Sequence, residues 1–340
     1  MFRKKAIALL LAALLLLLAC ACAAPAEDAA PNTVTDQAGR AVAIKGPVDR
    51  IVSGYYISTS VCIALGLGDR LVAIEAKAAS RPIYALAAPA LLRLPDVGTA
   101  KDFNLEACLA LRPDLVILPW RLRETADILA QMGIPAIVVD PESRDRLLEM
   151  ITLLGDAAGV PERAARLRGH CRASIVLTEA WAKYIHEKPS VYMAGVGSYL
   201  SAAPLGMYQS TLTELAGGTN AVDVEGNGWM EISYEQLLAM NPDVIILPAE
   251  AGYSKDDIAS DPQLKSLDAV KNGRIFKMPG SIEAWDSPLP SSILGARWLL
   301  SALHGDIFPL DELHAEAAAF YNEFYDMNIM ADEIELGLNQ

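Results

Sequence analysis

Asn104-Leu-Glu-Ala-Cys-Leu-Ala-Leu-Arg-Pro-Asp-Leu-Val-Ile-Leu-Pro119 and Ser233-Tyr-Glu-Gln-Leu-Leu-Ala-Met-Asn-Pro-Asp-Val-Ile-Ile-Leu-Pro248 are two versions of one pattern, about 130 residues apart. In each, a capping residue (Asn104, Ser233) opens a short helix, and a Glu follows two residues later (Glu106, Glu235). A Pro-Asp pair ends the helix, and an apolar run then enters a strand. A chain of 340 residues can hold two domains of ordinary size, each with its own core. The duplication therefore predicts two similar lobes, one acidic residue at an equivalent place on each, and a working site in the cleft between them.

The composition, 53% hydrophobic and 21% charged, is that of a globular chain and not of a disordered one. A net charge of −14 opposes nucleic acid as a partner. Arg3, Lys4 and Lys5 precede an apolar run of fourteen residues, 6–19. That is short of the roughly 20 residues that span a bilayer and suits the apolar core of a secretory signal. The segment closes with Leu17-Leu-Ala-Cys20, which resembles the lipobox of bacterial lipoproteins. Residues 1–19 are expected to be a lipoprotein signal peptide, Cys20 the lipid-modified residue, and 20–32 a tether. Cys22, with Ala19 in place of the Leu, is an alternative site. Cys62, Cys108 and Cys171 sit among apolar or helical residues and read as small buried hydrophobes. The chain has no CxxC or HxxxH-type spacing, so no dedicated metal site is expected.

The residues from 33 to 47 read as a hairpin turning at Asp36-Gln-Ala-Gly39. Strands are expected at 50–53, 71–74, 115–118 and 136–139, with helices at about 58–65 and 122–132. Such alternation indicates an α/β lobe over 33–160 with a largely parallel sheet. Pro161 suits a first helical position, and Ala164, Leu167, Cys171, Ile175, Trp181 and Ile185 recur near a 3.6 period. One long helix is therefore expected over 161–187 within a linking segment, 161–188. The second lobe, 189–340, repeats the plan, with strands at 190–194, 244–247 and 274–277 and helices at 207–215, 293–303 and 310–325.

Val34-Thr-Asp-Gln-Ala-Gly-Arg40, Asp49-Arg-Ile-Val-Ser53, the two repeat copies and Gly273-Arg-Ile-Phe-Lys277 follow one another in a telling order. Over about 33–310 the chain resembles the substrate-binding proteins of bacterial ABC importers that serve iron–siderophore, heme and cobalamin uptake. Gly280-Ser-Ile-Glu-Ala-Trp-Asp-Ser-Pro-Leu-Pro-Ser-Ser292 resembles a subgroup associated with iron complexes. The resemblance implies an α/β fold class: two Rossmann-like lobes joined by one long rigid helix, with the ligand cleft between them. It implies a monomeric, exported receptor, lipid-anchored on the outer face of the cytoplasmic membrane. Such a receptor captures an iron chelate, a ferric siderophore or heme, and delivers it to the permease and its cytoplasmic ATPase. Cobalamin, or an oxyanion such as molybdate or tungstate, is the alternative cargo. No permanently bound cofactor is expected. In this class one exposed Glu per lobe docks onto permease arginines, and those acids match Glu106 and Glu235. Position alone offers a local reading too, since an acid in a first helical turn is favoured by about 0.3–1 kcal/mol.

In open α/β sheets, ligands lie beyond the carboxyl ends of the strands. Those ends carry Tyr, Trp, Arg and Ser, and aromatic faces with arginines suit a bulky chelate bearing anionic groups. The candidate ligand residues are Tyr55, Tyr56, Trp120, Arg121, Tyr199, Trp229, Glu283 and Trp285. Trp285 has a structural alternative as a plug, with Asp286 capping the turn before Pro288. Small donors such as Ser58, Thr59, Ser143 and Ser201 would suit an oxyanion instead. The chain has no nucleophile elbow, P-loop or complete GxGxxG, so catalysis is not expected.

Overall fold

The computed structural model of the chain describes residues 32–305 and 308–338. The expected signal peptide, Cys20 and all but the end of the tether lie outside the described residues. Strands β1 (Asn32–Thr35) and β2 (Ala41–Ile44) form the opening hairpin. Its turn is organised by Asp36, which is buried. Asp36 Oδ1 accepts from the N–H groups of Ala38 and Arg40, an arrangement that an Asp side chain offers its own backbone. Oδ2 accepts from the Arg40 guanidinium and from the Val138 N–H, pinning the hairpin to the sheet below.

Four strands, β3 (Ile51–Ser53), β4 (Leu71–Ala73), β5 (Leu115–Pro119) and β6 (Ala136–Val139), make a parallel sheet in the order β4-β3-β5-β6. Helices α1 (Tyr56–Ala64), α2 (Pro82–Ala87), α3 (Leu105–Ala110), α4 (Arg123–Gln131) and α5 (Arg144–Ala157) complete the N-terminal lobe. β5 and β6 are buried along their whole length, as expected of parallel strands covered on both faces. Helix α6 (Pro161–Ala182) leads to the C-terminal lobe. There β7 (Ser190–Met193), β8 (Ser201–Ala202), β9 (Thr219–Asn220), β10 (Met230–Glu231), β11 (Val244–Leu247) and β12 (Ile275–Lys277) are interleaved with α7 (Tyr208–Leu215), α8 (Tyr234–Met240), α9 (Lys255–Ser260) and α10 (Asp268–Lys271). Its parallel sheet runs β12-β11-β7-β9, and β8 with β10 forms a short antiparallel pair. Helices α11 (Ser292–Leu303) and α12 (Leu310–Phe324) close the fold.

The repeat is structural throughout. The Asn104 side chain accepts from the Ala107 N–H, and Ser233 forms a capping box with Gln236. Each helix then leaves through a left-handed residue, Arg112 at φ 47° and Asn241 at φ 40°. The Pro-Asp pair does more than end the helix. Asp114 Oδ2 accepts from the N–H groups of Asp49 and Arg50 at 3.0 and 2.9 Å, just before β3. Asp243 Oδ2 accepts from the Ser190 N–H at 2.8 Å, at the start of β7. Each copy thus clamps its own strand to the neighbouring central strand.

Two sequence expectations change. The long helix stops at Ala182, giving 22 residues and a length of about 33 Å. Ile185 matched the helical period but lies in the turn that follows, buried under Gly217, where an added Cβ would stand 2.5 Å from Ile185 Cδ1. Helix α5 has no counterpart among the helices expected from the sequence. It packs on α6 so closely that a Cβ on Gly155 would lie 2.2 Å from the Ala164 Cβ. Gly155→Val is therefore expected to cost about 1–3 kcal/mol or more in urea unfolding. Gly169, in mid-helix on α6 with open space around it, is the counterpart: Gly169→Ala should gain up to about 1 kcal/mol. Equal effects of the two substitutions would contradict the close approach.

Candidate functional site

Residues that follow the strands of both lobes meet in two adjacent hollows between the lobes. The larger, about 470 Å³, lies beyond β5 and β6. The N-terminal lobe contributes Tyr55, Trp120, Arg121, Asp140 and Glu142, and the C-terminal lobe contributes Gly206, Met207 and Asn227. The smaller, about 130 Å³, is lined by Tyr56, Ser60, Arg81 and Tyr84 on one side and by Glu250, Gly280 and Glu283 on the other. The consecutive Tyr55 and Tyr56, with ring centroids 5.3 Å apart in edge-to-face contact, separate the two. The larger hollow is within the size range of small-molecule sites. A bigger depression, about 940 Å³, is formed by β1 with α5 and α6 and is not built from strand ends.

Each arginine of the cleft is matched by acids. Arg121 is exposed and opposes Glu142, whose carboxyl is pushed up first by burial and then by Asp140. The Tyr55 phenol is held neutral, its pKa raised by burial and by its neighbours Tyr56, Glu142 and Asp140. Arg81 is ion-paired with Glu250 across the lobes and lies over the Tyr56 ring, 4.0 Å from its centroid. Burial pushes Tyr56 up to about 12.

A buried polar network underlies the smaller hollow. Glu75 accepts from the Thr59 hydroxyl and the Tyr84 phenol, both at 2.6 Å. Glu283 reaches from the C-terminal lobe to accept from Ser60 of α1, whose hydroxyl also meets Tyr325 at 3.0 Å. Burial raises both carboxyls above their usual range, opposed by these hydroxyls. Among the described residues, no group of three His, Cys, Asp or Glu side chains is arranged to hold a metal ion.

The structure gathers Tyr55, Trp120 and Arg121 in the larger hollow, and Tyr56 and Glu283 in the smaller. It does not bring the other three candidates to them. The Tyr199 hydroxyl donates to Asp261 at 3.0 Å and its half-buried ring packs edge-on against Tyr253, beside the C-terminal core. Trp229 is half-buried against the main core. Trp285 is 2% exposed and donates its indole N–H to the Tyr321 hydroxyl at 2.9 Å. Asp286 accepts from the Ala249 N–H at 3.1 Å. Sequence reasoning passed over Arg81, because the segment from 75 to 100 carries no strong period. Glu250 stands just beyond the end of β11 and is not among the sequence candidates.

A family model described as periplasmic binding protein matches residues 51–282. The chain belongs to that family. A periplasmic solute-binding protein from Veillonella parvula is 28% identical in sequence and superposes with a TM-score of 0.80, over 90% of this chain and 96% of its own. The molybdate-binding protein MolA of Haemophilus influenzae is 24% identical over 327 residues, 88% of this chain and 92% of MolA. Its molybdate-bound structure superposes with a TM-score of 0.78, over 87% of this chain and 98% of that one. The vitamin B12-binding protein of Yersinia pestis is 28% identical over 203 residues, 58% of this chain and 69% of the relative. As a family member the chain is a transport solute-binding protein and not an enzyme. Among the described residues no helix is long and apolar enough to cross a membrane.

One pH effect follows from the site. Burial raises the Asp286 carboxyl from 3.8 to about 6. The fold prefers its neutral form, so the stability it contributes is complete below about pH 4 and is lost as pH rises through about 6. Asp286→Asn keeps an acceptor for the Ala249 N–H and removes the ionisation. Relative to the parent protein, the variant should gain in thermal unfolding midpoint between about pH 4 and pH 7. A constant difference across that range would show that Asp286 does not titrate there.

Proposed function

We propose that this solute-binding protein captures a metal chelate, an iron chelate foremost, in the larger hollow and delivers it to an ABC permease. The observation that carries the reading is the joint lining of that hollow by Tyr55, Trp120 and Arg121 of one lobe and Met207 and Asn227 of the other. Aromatic faces with an arginine fork suit a bulky ligand with acidic groups. Lipid anchoring at Cys20 would hold the receptor at the outer face of the cytoplasmic membrane.

Glu106 and Glu235 are assigned to permease docking. Both are exposed and stand in the first turns of α3 and α8, at equivalent places on the two lobes. Backbone and Ser233 hydrogen bonding hold the Glu235 carboxyl below its usual range, keeping it charged. Exposed like charges, one per lobe, support contact with a basic surface. Glu106→Ala with Glu235→Ala is expected to abolish transport while leaving ligand affinity within about twofold. Unchanged uptake by the double variant would refute the docking role.

The near-full-length likeness to the Haemophilus molybdate binder favours a second reading, an oxyanion seated in the smaller hollow. A thermal-shift panel of a ferric siderophore, hemin, cobalamin and molybdate separates the two. A cargo present at 100 times its dissociation constant adds about 2.7 kcal/mol to stability. Stabilisation by a ferric chelate and not by molybdate supports the first reading, and the reverse result supports the second.

A further inference from the structure

Arg81 lies in a stretch that neither the repeat nor the strand pattern would place in the cleft, yet it is the cation of the smaller hollow. Its guanidinium sits over the Tyr56 ring, 4.0 Å from the centroid, and pairs with Glu250 of the opposite lobe. It is also the favourable charge felt by two carboxyls buried at this place, Glu75 and Glu283. One guanidinium therefore serves three acids, and they are not equally bound. Glu75 is fixed by Thr59 and Tyr84, and Glu283 by Ser60. The Glu250 side chain is 52% exposed and pairs with Arg81 alone among the described residues. The Ser60, Ser80 and Tyr56 side chains line the same hollow.

We propose that Glu250 is a built-in competitor for the cargo. An anionic group of the ligand, a free oxyanion or the carboxylate of a chelate, replaces Glu250 on Arg81, and Glu250 turns out to solvent. The inference rests on the receptor reading above and assigns the smaller hollow, next to the one that takes the bulk of a chelate, a charge-selecting residue. A guanidinium offers five donors in a planar fork and takes either kind of anion through two parallel hydrogen bonds. Tyr56 keeps the fork in place during the exchange. The pair given up is half-exposed, and such pairs contribute little. An anion that also fills the hollow excludes water from the new pair and strengthens it. The arrangement rejects weak anions, which cannot outbid a tethered carboxylate, and admits those that make further contacts.

The test is calorimetric titration of the parent protein, Glu250→Gln, Arg81→Gln and the double variant with two probes. Molybdate represents the free oxyanion and ferric citrate the carboxylate-bearing chelate. Removing the competitor should tighten at least one probe by up to about fivefold, the equivalent of 1 kcal/mol. Arg81→Gln should weaken the same probe by tenfold or more, and the double variant should follow Arg81→Gln. The probe that responds identifies the source of the anion. If both single variants shift affinity in the same direction, the ion pair merely holds the lobes together and the proposal fails. It fails equally if Glu250→Gln leaves both probes unchanged or unbound. Failure of the receptor reading has a separate signature: the titrations behave as stated, while cells lacking the protein take up both probes normally.

Discussion

Asp114 and Asp243 accept backbone hydrogen bonds at the starts of the strands next to their own, and much of the architecture depends on those two clamps. A parallel pair has no tight turn to set its register, because its strands are joined by long crossovers. A carboxylate at the amino end of β5 or β11 sets it instead. It fixes where β3 and β7 begin, and so where their carboxyl ends stop. Tyr55 and Tyr56 follow β3 at that end, Trp120 and Arg121 follow β5, and Glu250 follows β11 shortly after its end. The cleft is the consequence of two sheets registered by the same device.

Much of this could be read from the chain. The repeat carries its own punctuation: a capping residue, a short helix, Pro-Asp and a β-branched run. All of these are local signals, and both copies fold as that order implies. The left-handed exit at Arg112 was not legible, because Arg is an unusual residue there, whereas Asn241 is an ordinary one. Helix α5 was not legible because its cap, Ser143, reads equally as a small donor for an oxyanion, whereas its side chain accepts from the Arg146 N–H. The site was legible only in part. Aromatic residues at strand ends are natural cleft candidates, but Trp285 and Tyr199 found hydrogen-bond partners inside the C-terminal lobe. Arg81 and Glu250 are 169 positions apart in sequence. No local pattern reports a pairing made across two lobes.

The lobes meet over groups that would be costly to bury alone. Glu75 and Glu283 are 7% and 4% exposed, and their raised affinity for protons reflects that burial. Hydroxyls from α1 donate to one of these carboxyls within the N-terminal lobe and to the other across the boundary, where Glu283 Oε2 stays without a hydrogen-bond partner among the described residues. The boundary therefore joins the lobes by directional bonds as well as by the stiff connector α6. Such contacts hold a defined separation between the cleft walls. They also place the polar floor next to Arg81, whose charge eases the burial of both acids.

The central claim is that cargo is held by both lobes at once, at the ends of their strands. Hydrogen–deuterium exchange, recorded with and without the probe that stabilises the protein most, tests it directly. Protection should appear together at Tyr55 and Tyr56, at Trp120 and Arg121, and across the cleft at Gly206 and Met207. Protection confined to one lobe, or centred on the depression between β1, α5 and α6, would contradict a cleft shared by the two halves of the repeat.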